Sequence, residues 1–267
     1  MATGLEAPVQ ILLAEERDGV FVLTLNRPKA MNSLTGDMSA QATEILAGIA
    51  ERRDIRVVII TGAGDRAFCA GADLKERRDG DPDAKWTQRT LLWNFVRTIH
   101  QLPQPAIAAV HGWCLGGGFE VALFCDLRIA SEDAVFGFPE MTLGAFPGAG
   151  AAIVLPRLIG RARATEVFIT GKRLKAREAL EFGIVQEVVA KEQLMNKAFE
   201  TAEKIKRSSS RAGAAGIKRM INVGADLGFE GAVALNEALR RPLEASQDYA
   251  EGIKAFFEKR EPRFRGY

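Results

Sequence analysis

Up to Lys191 the chain alternates short apolar runs of strand character with segments of helical periodicity, and beyond Lys191 the strand pattern does not recur. That rhythm confines the chain to an α/β core followed by a helical tail. Residues 19–26 (GVFVLTLN) alternate around Val20, Val22 and Thr24, as a strand does, and Pro28 ends the run. Residues 35–53 place Met38, Ala42, Ile45, Leu46 and Ile49 at helical spacing. Residues 56–61 (RVVIIT) form a short apolar run before Gly62 and Gly64, the pattern of a strand buried on both faces. A second amphipathic helix is expected over 86–101 and a strand over 106–110. A helix is expected over 119–125, opening after Gly116, Gly117 and Gly118, with further strands at 127–130 and 134–138. The tail reads as four helices, over 191–207, 211–224, 229–247 and 248–260, and the serine run at 208–210 is a candidate hinge. The division expected is a core over residues 1–200 and a helical region over 201–267.

Charge and cysteine usage narrow the function classes. The formal charge of +2 balances 36 basic against 34 acidic residues, and the basic pairs are short and scattered, so a nucleic-acid partner is not expected. Cys69, Cys114 and Cys125 have no CxxC spacing and each sits in an apolar stretch, the reading for reduced core thiols. With His100 and His111 the only histidines, a histidine-built metal site is not expected. The N-terminus has neither a basic start nor a long apolar run, so no signal peptide is expected. The most apolar window, 105–125, is broken by His111, three glycines and Glu120 and is not expected to span a bilayer. The compartment expected is the cytoplasm or an equivalent reducing one.

Two familiar motifs drop out. Gly62-Ala63-Gly64-Asp65-Arg66-Ala67 follows a strand and fits a dinucleotide fingerprint, which needs a helix at once. The chain continues instead with Phe68-Cys69-Ala70-Gly71-Ala72-Asp73. The G-x-S-x-G elbow of a serine hydrolase is absent.

More informative is His111-Gly112-Trp113-Cys114-Leu115-Gly116-Gly117-Gly118-Phe119-Glu120. Three glycines allow close approach of a ligand to the backbone and leave peptide N–H groups free at a helix start, where partial positive charge suits an oxyanion. Glu120 in that first turn either complements the helix dipole or serves chemistry among its apolar neighbours. Glu140, in Phe136-Gly137-Phe138-Pro139-Glu140-Met141, is either a strand-ending turn residue or a second such carboxylate. Phe146-Pro147-Gly148-Ala149-Gly150-Ala151 is another glycine-rich turn opening a helix. Two acids in apolar settings, each beside exposed N–H groups, form an acid/base constellation.

The chain resembles the crotonase (enoyl-CoA hydratase/isomerase) superfamily from Asn26 to Phe264. The resemblance is carried in order by Asn26-Arg27-Pro28-Lys29-Ala30-Met31-Asn32-Ser33-Leu34, by Arg66-Ala67-Phe68-Cys69-Ala70-Gly71-Ala72-Asp73-Leu74-Lys75 and by the glycine segment ending in Glu120. The Phe-Gly-Phe-Pro-Glu140 segment, the Pro-Gly-Ala-Gly turn and Ala255-Phe256-Phe257-Glu258-Lys259-Arg260 complete it. It implies a spiral of repeated β-β-α units with a C-terminal helical trimerisation region, and a homotrimer or dimer of trimers. It implies that the N–H groups of Ala72 and Gly117 form an oxyanion hole, that Glu120 and Glu140 are the catalytic pair, and that the Gly148 N–H helps hold water. It further implies that Lys29, Ala30, Ala70 and Lys75 surround coenzyme A, and that Phe256 and Lys259 touch it from the tail or a neighbouring subunit.

The activity implied is hydration of a 2-enoyl-CoA to a 3-hydroxyacyl-CoA, with no cofactor beyond the coenzyme A of the substrate. Another reaction on a CoA thioester, isomerisation or a lyase step, is the alternative. A non-catalytic binding role, known among relatives that bind RNA, is disfavoured because residues 35–53 contain no lysine. Many hydratases continue the last glycine turn with Gly-Gly-Thr-Gln-Arg, whereas this chain has Ala151-Ala152-Ile153-Val154-Leu155, which leaves the acyl group open. Phe138, Phe146, Trp86, Leu91 and Trp113 are candidates for lining an acyl pocket, with plain core packing the alternative.

Overall fold

Strand alternation divides the interior into two cores. A computed structural model describes residues 10–78 and 82–266; residues 1–9, on which the leader expectation rests, lie outside them. The first half of the chain runs β1 (Leu12–Arg17), β2 (Val20–Leu25), α1 (Gly36–Glu51), β3 (Val57–Gly62), β4 (Ala67–Cys69), α2 (Leu74–Arg78), α3 (Pro82–Gln101), β5 (Ala106–Val110), β6 (Trp113–Leu115) and α4 (Gly117–Phe124). Next come β7 (Leu127–Ser131), β8 (Val135–Gly137), α5 (Ala151–Ile159), α6 (Arg161–Thr170), β9 (Leu174–Lys175), α7 (Ala176–Glu181) and β10 (Glu187–Val189). Four helices close the chain: α8 (Leu194–Ser208), α9 (Arg211–Arg219), α10 (Phe229–Glu244) and α11 (Gln247–Phe257).

One sheet has the order β1-β2-β3-β5-β7-β10 and the other β4-β6-β8-β9. Successive pairs β3/β4, β5/β6 and β7/β8 each give one strand to each sheet, and within a sheet these strands pair in parallel. This is the winding of a β-β-α spiral. In the larger sheet Val20, Val22, Val57, Ile59, Ile107 and Ala109 face α8, where Leu194, Ala198 and Ala202 meet them. The intervening Phe21, Leu23, Val58, Ile60, Ala108 and Val110 face the main core shared with α1, α3 and α4. A strand sandwiched this way must be apolar on both faces, which is why every residue of β3 is buried.

The short strands β4, β6 and β9 carry two or three residues each, too few for a period-two signal. Because the next element after Gly62-Ala63-Gly64 is β4, beginning at Ala67, the fingerprint-like glycines lead into a strand, without the helix a dinucleotide site needs. The boundary expected between residues 200 and 201 falls inside α8, whose Leu194, Ala198 and Ala202 are buried together on the sheet. Among the described residues no helix is long and apolar enough to cross a membrane.

Candidate active site

The site grows out of the ends of β4 and β6. Leu34 donates to the Gly71 carbonyl (2.8 Å) and accepts from the Asp73 N–H (2.8 Å), forming a parallel bridge opposite Ala72. In such a bridge the residue between the two bonded ones turns its own N–H and C=O away from the partner strand. For Ala72 that direction is the start of α4: a Cβ built on Gly117 would stand 3.5 Å from the Ala72 nitrogen. Gly116 caps α4 with φ 50° and ψ −125°, a conformation open to glycine alone, and its N–H is held by the Gly137 carbonyl at 2.9 Å. Gly117 is the first residue of the helix, so its N–H has no acceptor within the helix. The Ala72 and Gly117 amides therefore come side by side.

Buried polar residues hold this arrangement. Asn32 is wholly buried at φ 55°; its Nδ2 donates to the carbonyls of Ala63 (2.9 Å) and Ala67 (2.8 Å), and its Oδ1 accepts from the Arg27 N–H (2.9 Å). Arg27 pairs with Asp73 at 2.8 Å, and Asp73 also accepts from the Lys75 N–H at 3.0 Å. Burial alone would raise the Asp73 carboxyl, but the Arg27 guanidinium and the Lys75 N–H outweigh it and hold the group below its ordinary value. Beneath the loop, burial pushes the Cys69 thiol up to about 12, so this cysteine stays an uncharged packing residue.

Seven of the eight residues of α4 are buried, Glu120 among them at 1% exposure. Its Oε1 accepts from the N–H groups of Ala149 (2.7 Å) and Ala151 (3.1 Å), at the glycine turn that opens α5. The carboxylate thus sits on the positive end of a second helix. That turn can come so close because residue 150 is glycine, at φ 96°: a Cβ there would stand 2.7 Å from the Trp93 ring and 2.8 Å from that of Phe124. Glu140 sits in the one-turn 3-10 helix Pro139–Leu143 that follows β8. Its carboxylate lies against Gly116, where a Cβ would stand 2.6 Å from Glu140 Oε1. The Gly116–Gly117 turn is thus flanked by Glu140 outside and Glu120 one helical turn inside.

A cleft of about 620 Å³ opens here, lined by Ala70, Gly71, Ala72, Lys75, Gly116 and Glu140 together with Leu74, Lys85, Pro139, Leu143 and Ala145. Of the residues expected around a ligand, Ala70, Ala72, Lys75 and Glu140 meet in this cleft. Lys29 and Ala30 do not line it; their turn lies beside Ala70, whose N–H donates to the Met31 carbonyl at 3.0 Å. Gly148 lines a second cleft of about 330 Å³ with Arg89, Trp93, Phe146 and Ile153. Phe256 is 77% exposed near the end of α11, and neither it nor Lys259 lines either cleft.

The apolar candidates divide in the same way. Phe138 is a core residue stacked on Phe119, with ring centroids 4.7 Å apart, while Phe146 lines the smaller cleft. Lys85 and Arg89 are residues that sequence reasoning passed over. They precede Trp93 at i, i+4 spacing along one face of α3, a basic stripe ending in an aromatic, and that spacing was the available signal.

The sequence profile described as Enoyl-CoA hydratase/isomerase matches residues 15–267. The crystal structure of an enoyl-CoA hydratase from Bacillus anthracis superposes with a TM-score of 0.93 at 40% identity, covering 97% of this chain and 100% of that one. The short-chain-enoyl-CoA hydratase of Clostridium acetobutylicum is 38% identical over 93% of this chain and 95% of its own length. The (E)-benzylidenesuccinyl-CoA hydratase of Thauera aromatica is also 38% identical, over 94% of this chain and 98% of its own.

Proposed function

Because the chain belongs to the enoyl-CoA hydratase/isomerase family, we propose that it is a hydro-lyase that adds water across the 2,3-double bond of a 2-enoyl-CoA. The observation that carries this reading is the pairing of two adjoining backbone donors, Ala72 and Gly117, with two carboxylates, Glu120 and Glu140, at one glycine turn. The thioester oxygen sits on the two N–H groups. Negative charge gathers there as the β-carbon is attacked, and fixed donors of this kind contribute about 3–4 kcal/mol each when removed singly. One carboxyl group takes a proton from water, whose oxygen bonds to the β-carbon; the other delivers a proton to the α-carbon. The backbone bonds from Ala149 and Ala151 hold Glu120 in one orientation, which proton transfer over a short distance requires. Gly148, the residue before that N–H pair, supplies the further donor for water.

Coenzyme A enters by the Lys75 and Lys85 side of the larger cleft, where two ammonium groups meet its phosphates. The substrate brings its own coenzyme, and no further cofactor takes part. The 1–200 core carries the chemistry and the 201–267 region the assembly, a homotrimer or a dimer of trimers, in which Phe256 and Lys259 reach the nucleotide of a neighbouring subunit. Exposed Phe229, Phe256 and Phe257 support that assembly, and three buried free thiols fit the reducing cytoplasm.

Substitution of each carboxylate tests the reading. Glu120→Gln and Glu140→Gln should each lower kcat by about a hundredfold or more with little change in affinity for free CoA. The double variant should be little worse than either, as for groups acting together. In 18O-labelled water the label must appear on the β-carbon of the product. One severe and one mild substitution, without label incorporation, would instead indicate a proton-shuttling isomerase.

A further inference from the structure

The acyl group, left open by the sequence, meets an unusual wall. In the proposed placement, with the thioester oxygen on the Ala72 and Gly117 amides, the coenzyme toward Lys75 and water at Gly148, the far end of the acyl chain runs past Gly148, which lines the smaller cleft. That cleft is apolar, with Trp93, Phe146 and Ile153 in its lining, and among its lining residues Arg89 alone is charged. The Arg89 stem packs on the turn itself: a Cβ on Gly148 would stand 3.0 Å from Arg89 Cδ. The guanidinium lies 3.6 Å over the Trp86 ring, and among the described residues it has no carboxylate within ion-pair distance. Stacking occupies the face of a guanidinium and leaves its N–H edge able to hold a carboxylate through two parallel bonds.

We infer that Arg89 is a specificity residue that selects acyl-CoA substrates bearing a second carboxylate at the far end of the acyl chain. This inference rests on the proposed placement of the thioester. A neutral tail entering the cleft would strip water from the guanidinium and return nothing, so the cation both attracts the diacid and disfavours its neutral analogue. The apolar lining supplies the chain contacts, and Trp86 fixes the guanidinium plane.

Six-carbon pairs test this. Binding is read by calorimetry with the saturated adipoyl-CoA and hexanoyl-CoA, and turnover with 2-hexenedioyl-CoA and 2-hexenoyl-CoA. The wild-type protein should bind adipoyl-CoA more tightly than hexanoyl-CoA, and its kcat/KM should favour the enedioyl substrate, each by roughly ten- to a hundredfold. In Arg89→Gln both ratios should collapse to near one, while Arg89→Lys should recover part of the binding preference. Equal binding of the two saturated thioesters by the wild type overturns the inference, even where hexenoyl-CoA is hydrated and the hydratase reading stands. A binding preference lost in Arg89→Gln upholds it, even where neither enoyl substrate is hydrated and the hydratase reading falls. Equal losses for both members of a pair in Arg89→Gln, with the ratio kept, also overturn it.

Discussion

Helices α4 and α10 are built on opposite plans. α4 has eight residues, of which Gly117 to Leu123 are all buried, and it is apolar all round apart from Glu120. α10 has sixteen residues and buries none of them, with Phe229 79% and Val233 40% exposed. A helix apolar on every side can exist only inside a core, and its one carboxylate must be bonded there, as Glu120 is. A helix that keeps an apolar stripe in the open depends on something outside its own fold to cover it. On the proposed reading, chemistry sits where packing leaves no freedom, and assembly where the chain leaves apolar surface open.

The join between the two regions is the first place to break this comparison. Lys218 of α9 is buried; its Nζ donates to the carbonyls of Ile99 and Gln104 (3.1 Å each) and pairs with Asp126 at 2.8 Å. Lys218→Ala leaves those acceptors and the carboxylate without their cation, and should cost about 3 kcal/mol in denaturant unfolding. A loss below about 0.5 kcal/mol, the level of surface changes, would show that α9 is held some other way.

Next in size is Gly118→Ala inside α4. The new methyl would stand 2.6 Å from Cys69 Cβ, and α4 cannot shift without moving Glu120. Overpacking of this kind should cost about 1–3 kcal/mol, and kcat should fall with it. Wild-type activity at lowered stability would separate α4 packing from the chemistry. On α10, Phe229→Ser should alter unfolding by no more than about 0.5 kcal/mol in a dilute, dissociated sample. It should shift the oligomer toward smaller species in sedimentation at micromolar concentration. A large stability loss with unchanged association would mean that α10 is covered within its own chain.

The smallest expected effect is in pH. His100 lies at the end of α3, where the Asn222 amide donates to its carbonyl at 3.1 Å. Burial first, then the Lys218 charge, lowers its pKa from the ordinary 6.5. A histidine depressed in the folded state binds its proton more readily unfolded, so stability is intact above about pH 6.5 and falls as pH drops below it. Denaturation midpoints at pH 8 and pH 5.5 should differ less in His100→Gln than in the wild type; an equal difference in both would remove His100 as the cause.

Local pattern was enough for much of the architecture. The strand and helix periodicities of 19–26, 35–53 and 106–110, and the absence of strands after Lys191, are local properties, and β2, α1, β5 and the terminal helices follow them closely. The glycine triplet announced a helix start with free N–H groups, because a positive φ at Gly116 and a close approach at Gly118 admit no side chain. Glu120 and Glu140 stood out as carboxylates among apolar neighbours, and their order along the chain marked the family.

Tertiary structure alone decided the rest, since it depends on distances between residues far apart in the chain. Ala72 is an ordinary alanine until its bridge to Leu34 turns its N–H toward Gly117. Glu120 acquires its partners only when a turn 29 and 31 residues later folds back over it. Phe138 and Phe146 are the same residue type eight positions apart, yet one is core and the other lines a cleft, because the fold packs Phe119 and Phe168 against residue 138 and leaves residue 146 in the open. For Arg89 the local sequence offered only its place in an i, i+4 stripe; the fold set its stem on Gly148, its guanidinium over the Trp86 ring and the residue in the lining of an apolar cleft.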